Sequence, residues 1–545
     1  MRAALTPEHP ENAAENAVNS ILSYLPKNRR HILAVFPAYS SSFGTMHHAY
    51  RLVPGVKAFM PPQGLLLIAA CLPAEWEVRF IDENIRKATT ADYRWADAVL
   101  VSGMHIQRPQ INRINDLAHQ EGKLTILGGP SVSAVPEEYP AFDLLHLGEL
   151  GDATEAVISR LDASCSPPAA QERYETVERL PFDEFPAPAY GLINLNEYFL
   201  ANVQFSSGCP YRCEFCDIPE LYGRAPRFKS PGQVIGELDT MLARGNPGAV
   251  YFVDDNFISD LSALRDLLPQ LIDWQKRRGF PVEFACEATL NLALYPNILA
   301  LMKEAYFCTV FCGIESPSAE ALHSIAKHQN LKVPLLEAVA IFNSYGMEVV
   351  SGIIMGLDGE PPDIGATILD FINSSRIPML TINLLYALPR TPLWRRLAAE
   401  GRLNHDASRE SNVEFLLPYE QLVEQWRRCI IAAYAPEALY DRYLYQLEHT
   451  YPHRIAVPNS AERLSWKNIR KGFLLLGTII FRVGIFGSYR STFWKMALPA
   501  LKRADIEGVI HVGLIGHHLI EFARECSRQK KSAAFYAQKP GSESG

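Results

Sequence analysis

Short apolar, β-branched runs recur from residue 31 onward, separated by stretches whose apolar positions fall three or four residues apart. Runs at 31–36 (HILAVF), 76–81 (WEVRFI), 97–101 (DAVLV), 123–127 (KLTIL) and 144–147 predict strands. Residues 64–72 and 109–121 predict helices between them. Strands apolar on both faces belong to a parallel sheet covered by helices on each side. Residues 31–165 are therefore expected to form an open, doubly wound α/β domain whose ligand lies beyond the carboxyl ends of the strands.

A Pro-, Ala- and Glu-rich stretch at 166–198 reads as a linker. A second strand series follows at 202–206, 248–253, 282–287, 309–313, 348–352 and 379–384, with helical spacing between, as at 231–244 and 261–278. Six βα units over 199–410 predict a partial (βα)6 barrel of TIM type, with its chemistry at the carboxyl ends of the strands. From 411 to 545 the strand pattern stops and a helical region is expected, whereas residues 1–30 are polar and read as a flexible tail.

At 545 residues, 48% hydrophobic and 21% charged, the chain has the composition of a multidomain globular protein. A net charge of −8 gives no reason to expect a nucleic-acid partner. Ten scattered cysteines in so long a chain need no disulfide framework, and the first residues lack the apolar core of a secretion signal, so a cytoplasmic location is expected. No uncharged apolar run reaches the ~18 residues of a spanning helix. Charge is uneven: residues 451–545 hold fifteen Lys/Arg against six Asp/Glu, a net of +9, which leaves −17 on the first 450.

One cysteine cluster stands out. Cys209-Pro-Tyr-Arg-Cys213-Glu-Phe-Cys216 follows a predicted strand in a loop opened by Ser206-Ser207-Gly208. Soft thiolates select zinc, copper(I) or iron–sulfur clusters. A 4Fe–4S cluster takes four thiolates as a rule, so three would leave one iron open to a substrate or cofactor. The competing reading is a structural zinc staple, whose fourth ligand could come from Cys286, Cys308, Cys312 or His105.

The Cys-x3-Cys-x2-Cys loop after the first strand of a βα barrel resembles the signature of the radical S-adenosylmethionine superfamily. The resemblance implies that Cys209, Cys213 and Cys216 bind the cluster and that Phe215 packs near adenine. It further implies that Asp254, Asp255 and Asn256 hold the methionine ammonium, and that Glu287 faces the ribose or carboxylate. Gly313, Glu315 and Ser316 resemble the fourth-strand segment that contacts the cofactor, and Gly352 and Gly356 the fifth-strand glycine motif. Read alone, the Asp-Asp-Asn triplet is equally a turn or a helix cap.

An α/β domain ahead of such a barrel resembles the cobalamin-binding domain of class B radical methyltransferases. Ser102-Gly103 resembles the element beside the corrin tail, and Gly128-Gly129 the element near the nucleotide. The Asp-x-His-x-x-Gly motif that supplies a lower cobalt ligand elsewhere is absent after the first strand, so the cobalt is expected to lack a protein imidazole or to take His105 or another residue. The family's chemistry implies three cofactors: a 4Fe–4S cluster, S-adenosylmethionine and cobalamin. A 5′-deoxyadenosyl radical removes hydrogen from an unactivated carbon, which takes a methyl group from methylcobalamin.

Over residues 31–525 the chain resembles hopanoid C-2 methylases, on stretches 58–64 (AFMPPQG), 204–209 (QFSSGC), 253–257 (VDDNF) and 387–392 (ALPRTP). That implies a hopanoid lipid substrate, methylated at C-2 of ring A, and a flavodoxin or ferredoxin as electron donor. Apolar helical stretches at 469–486 and 506–522, interrupted or followed by Arg470, Lys471, Arg482, Arg524, Arg528, Lys530 and Lys531, suit either the inner surface of the cytoplasmic membrane or a lid on the barrel. Two other functions remain open from sequence: a radical enzyme acting on another lipid, tetrapyrrole or natural product, and a metal-stapled membrane-binding protein without catalysis.

Overall fold

A computed structural model describes residues 24–457, 466–528, 531–534 and 536. The chain divides into two compact units, one built from residues up to 39 with 62–194, the other from 40–61 with 195 onward.

The first unit is a six-stranded, all-parallel sheet. Its strands are β1 (His31–Phe36), β2 (Glu77–Asp82), β3 (Ala98–Ser102), β4 (Leu124–Gly128), β5 (Leu144–Leu147) and β6 (Glu172–Glu175), in the order β2-β1-β3-β4-β5-β6. The pleat sends alternate residues to two separate cores. Ile32, Ala34, Leu100 and Ile126 pack on one face, and Leu33, Val35, Val101 and Leu127 on the other. Both faces are dry, which is why these strands read as continuous apolar runs.

Two expectations change here. The stretch read as a linker contributes β6, an edge strand paired to β5 whose polar sequence, Glu-Arg-Tyr-Glu, hides it from an apolar-run search. The tail expected over 1–30 is anchored in its last residues. Asp162 accepts the Tyr24 hydroxyl at 3.0 Å and the Asn28 backbone N–H at 2.9 Å, and Arg30 Nε donates to the Leu161 carbonyl at 2.8 Å. The remainder of that tail lies outside the described residues.

The second unit carries six parallel strands in sequence order: β7 (Ala201–Val203), β10 (Ala249–Phe252), β11 (Glu283–Glu287), β12 (Phe307–Glu315), β13 (Glu348–Met355) and β14 (Met379–Leu384). Among the described residues β7 and β14 are edges, so this is the expected partial barrel. The strand expected over 202–206 breaks after Val203. Asp254 accepts the Phe205 N–H at 3.3 Å, as well as the Ser206 N–H, and draws the chain off the β10 ladder. It resumes as β8 (Ser206–Ser207), antiparallel to β9 (Arg227–Phe228). Residues 58–61 run beside the entry to β7: the Ala58 carbonyl accepts the Phe199 N–H at 2.9 Å, and Asn202 donates to the Pro61 carbonyl at 2.8 Å.

Helices complete the unit: α1 (His47–Tyr50), α2 (Tyr419–Ala433), α3 (Pro436–His449), α4 (Trp466–Ile479), α5 (Arg490–Lys502) and α6 (Ile506–Ser527). A π-helical turn, Ile480–Ile485, extends α4. The Trp426 indole donates to the Ile382 carbonyl at 2.8 Å and Tyr434 bonds to both backbone groups of Leu380, so α2 covers the β14 edge. The central helix, α6, is packed by α2, α3, α4 and α5, and buries Val509, Val512, Leu519 and Phe522.

Candidate active site

The cysteine loop hangs between β8 and β9, whose short antiparallel pairing pinches its two ends together. Gly208 opens the loop at φ +93°, and a side chain there would meet the Gly223 carbonyl at 3.0 Å, so only glycine makes the turn. Its N–H donates to Asp255 at 2.7 Å, and the Cys209 N–H donates to the Gly223 carbonyl at 3.2 Å. Downstream, Arg396 donates to both carboxylate oxygens of Glu214, at 2.7 and 3.0 Å, and to Asp358 at 2.8 Å. Two-point contacts of this kind fix orientation as well as distance.

Thiols of Cys209, Cys213 and Cys216 share this loop, half-buried. Burial pushes Cys209 up to about 11 and lifts Cys216 well above its ordinary value, each raised further by the neighbouring cysteines. Metal ligation takes the thiolate form of such side chains. Among the described residues the three sulfurs do not gather within 4.8 Å of one another. A single zinc ion at ~2.3 Å from each sulfur needs them closer than that; three corners of a cubane do not.

The polar residues expected at the strand ends surround this loop. Asp254, at the end of β10, is buried and committed to the loop itself, accepting the Ser206 hydroxyl at 2.5 Å beside the two backbone donors. Burial pushes it up to about 7 against those hydrogen bonds. These hydrogen bonds tie Asp254 to the cysteine loop. Asn256 is buried with neither amide atom hydrogen-bonded among the described residues. Burial, reinforced by Asp255, also pushes Glu287 up to about 7.

Strand β12 ends in a bulge at Glu315, whose φ is +66°. Its carboxylate is buried against Lys327, and a side chain on Gly313 would meet the Glu315 oxygen at 2.3 Å and the Lys327 nitrogen at 2.7 Å. Burial lowers the Lys327 ammonium, and Glu315 with the Cys213 and Cys216 thiols outweighs it, leaving Lys327 above its ordinary value. Lys327 Nζ lies 5.5 Å from the Phe215 ring, and Gln329 donates to the Cys213 sulfur at 3.2 Å. Gly352 pairs with Gly313 across β12 and β13. Ser316 is buried and donates to Glu360 at 3.4 Å; Glu360 also accepts the Gly356 N–H at 2.7 Å. Gly356, at φ +101°, has Phe415 where a side chain would go, which makes it a packing glycine.

In the first unit, Ser102 and Gly128 are paired at the ends of β3 and β4, with Gly103 and Gly129 following. Gly129 has φ +95°, and a Cβ there would lie 2.5 Å from the Ser102 hydroxyl. These glycines stand at the carboxyl edge of the sheet, where ligands of open parallel sheets bind. His105 is held at 3.2 Å from the Ser131 hydroxyl, and burial pushes its imidazole down to about 4.

Lys327, Gln329, Glu360 and Arg396 were not visible from sequence, because none belongs to a spaced motif. Tyr536, near the C-terminal end, sits close enough to Asp217 and Cys216 for their charges, on top of burial, to raise its phenol. A cavity of about 440 Å³ walled by Glu283, Arg454, Arg503 and His511 lies at the amino-terminal ends of these strands, away from the cysteines.

Comparison with known proteins agrees with this division. A B12 binding domain profile matches residues 52–158, a Radical SAM superfamily profile 203–372, and a domain of unknown function (DUF4070) 391–532. Hopanoid C-2 methylase of Rhodopseudomonas palustris (strain TIE-1) is 56% identical over 93% of this chain and 96% of its own. An uncharacterized methyltransferase of Synechocystis sp. (strain ATCC 27184 / PCC 6803 / Kazusa) is 33% identical over 91% of this chain and 92% of its own. The fold matches that of the cobalamin-dependent S-adenosylmethionine radical enzyme OxsB, with aqua-cobalamin and S-adenosylmethionine bound, at a TM-score of 0.57, 16% identity, and coverage of 93% and 83% of the two chains. It also matches the radical S-adenosylmethionine methyltransferase TsrM from Kitasatospora setae, with cobalamin and a 4Fe–4S cluster bound, at 0.59, 14% identity, and coverage of 92% and 100%. With a B12 binding domain and a Radical SAM domain on one chain that is 56% identical to hopanoid C-2 methylase, the chain belongs to the cobalamin-dependent radical S-adenosylmethionine methyltransferases, in the family of hopanoid C-2 methylase.

Proposed function

We propose that this enzyme methylates a hopanoid, a pentacyclic triterpenoid, at C-2 of ring A. The observation that carries this reading is the 56% identity to hopanoid C-2 methylase, sustained over almost the whole of both chains. In this reading Cys209, Cys213 and Cys216 hold the cluster, and Phe215, Asn256, Asp255, Glu287, Glu315, Ser316 and Gly352 line the S-adenosylmethionine site. Ser102, Gly103, Gly128 and Gly129 admit the cobalamin tail. When bound, cluster and S-adenosylmethionine supply a hydrogen-abstracting radical, and the corrinoid supplies the methyl group. The chain's own tasks are to orient and to exclude water. Asp254 and Arg396 fix the loop, and Asn256 offers an unused amide in a buried position. A flavodoxin or ferredoxin delivers the electron.

The enzyme works at the inner face of the cytoplasmic membrane. No helix among the described residues is long and apolar enough to cross a bilayer. The exposed apolar side chains instead concentrate on α4 and the turn after it. Trp466 is 78% exposed, Phe473 67% and Phe486 68%, with Arg470, Lys471 and Arg482 beside them. Apolar side chains flanked by cations suit an anionic lipid surface, where a hopanoid resides. Lys530, which sequence added to this basic group, lies outside the described residues.

The test is lipid mass spectrometry on a hopanoid-producing host that lacks its own methylase, with and without this gene. A hopanoid heavier by one methyl, placed at C-2 by fragmentation, is the expected result. An unchanged lipid profile from cluster-loaded, corrinoid-loaded protein rejects the substrate. The cysteine assignment is tested apart from the substrate: Cys213→Ala abolishes reductive cleavage of S-adenosylmethionine, and retained cleavage rejects the assignment.

A further inference from the structure

Away from the cysteine loop, two consecutive histidines open α1 and meet a glutamate from the last turns of α6. Glu525 Oε1 lies 3.3 Å from His48 Nε2, and Glu525 Oε2 lies 3.7 Å from His47 Nε2. The two imidazole rings are 4.0 Å apart between centroids. One ligand-capable atom from each of the three side chains can be chosen so that all lie within 4.8 Å of one another, the only such trio of His, Cys, Asp or Glu among the described residues.

An ordinary ion pair does not satisfy these groups. His47 is 7% exposed, yet His47 Nδ1, His48 Nε2 and Glu525 Oε2 are all buried without a hydrogen bond among the described residues. His518 packs edge-on against His47, with the ring centroids 5.1 Å apart. His518, fully buried, holds the arrangement from behind. It receives the His48 backbone N–H at 3.4 Å and bonds through its other nitrogen to the Phe43 carbonyl at 3.1 Å, which fixes the backbone of α1.

We propose that His47, His48 and Glu525 form a binding site for a divalent transition-metal ion of the zinc class, separate from the iron–sulfur centre. Two imidazoles and one carboxylate are a recurrent zinc donor set, with the remaining position left to water. The ion staples the segment after β1, which packs into the second unit, to the C-terminal helix. Arg51 and Lys531 also face His47, and their charges weaken the site relative to one without cations nearby.

The experiment uses full-length enzyme with its cluster already loaded, so that the cysteines are occupied, dialysed against buffered zinc and analysed for zinc and iron together. The expected result is about one zinc per chain, with zinc lowered at least about tenfold in both His48→Ala and Glu525→Gln while iron is unchanged. Unchanged zinc in both variants, or no zinc in the parent protein, overturns the proposal. Should either variant also lose iron, zinc-edge X-ray absorption on the parent decides: nitrogen and oxygen scatterers including imidazole sustain the site, and sulfur scatterers overturn it.

Discussion

Replacing Lys327 by Met removes the cation that pairs with Glu315. Both side chains are under a tenth exposed, and they meet directly above Gly313, where no side chain could fit. The lost attraction matters less than the carboxylate left behind. An uncompensated buried charge of this kind costs about 3–5 kcal/mol, whereas replacing both partners by neutral groups of similar shape costs little. Glu315→Gln alone strands the ammonium instead, and carries a similar penalty. The double variant Glu315→Gln/Lys327→Met should therefore lie well above the sum of the singles, with a coupling of at least about 2 kcal/mol. The assay is thermal denaturation of cluster-loaded protein, followed by near-ultraviolet circular dichroism. Each single variant should lower the midpoint by roughly 4–6 °C, and the double should recover more than half of that. Because Lys327 also stands 5.5 Å from the Phe215 ring, a readout beyond stability is available. Cleavage of S-adenosylmethionine should stay impaired in the double variant after stability returns. Strictly additive single variants, or a Lys327→Met midpoint within about 2 °C of the parent, would refute the reasoning.

Three further outcomes are expected. Gly129→Ala places a methyl 2.5 Å from the Ser102 hydroxyl at a φ of +95°, and should cost about 1–3 kcal/mol while abolishing corrinoid retention, read by absorbance after gel filtration. Normal corrinoid loading would exclude this sheet edge as the site. His146 is buried against Thr154, and burial lowers its imidazole from 6.5 to about 4. Both states are neutral above pH 6.5, so stability should fall by about 1.4 kcal/mol per unit as pH drops from 6.5 toward 4, where only the unfolded chain takes the proton. His146→Asn should flatten that slope in acid titrations monitored by urea unfolding, and an unchanged slope would count against it. Finally, Phe473→Ser/Phe486→Ser removes two exposed rings, each contributing about 1.5–3 kcal/mol if buried in lipid, and should cut co-sedimentation with anionic vesicles at least about tenfold. Equal binding by the double variant would leave these helices as a lid.

What could be read from sequence was whatever repeats or is spaced. Both parallel sheets were legible in their apolar positions: β1 and β3 write uninterrupted runs at 32–36 and 98–101, and β14 alternates, burying Leu380, Ile382 and Leu384. The cysteine triplet was legible because one short loop must supply three sulfurs. Edge strand β6 was not, since its outward residues are glutamate and arginine and its pairing is carried by backbone. The same limit explains the site's supporting residues. Lys327 reaches Glu315 from twelve positions away, and Arg396 reaches Glu214 across 182. A salt bridge between distant residues leaves no periodicity, because the fold alone brings its halves together. Asp254 is the instructive case. The Asp-Asp-Asn triplet invited a ligand role for all three residues, and two competing demands divide them. Asp254, just past the end of β10, accepts three hydrogen bonds from the incoming loop, whereas the buried side-chain amide of Asn256 meets no partner among the described residues.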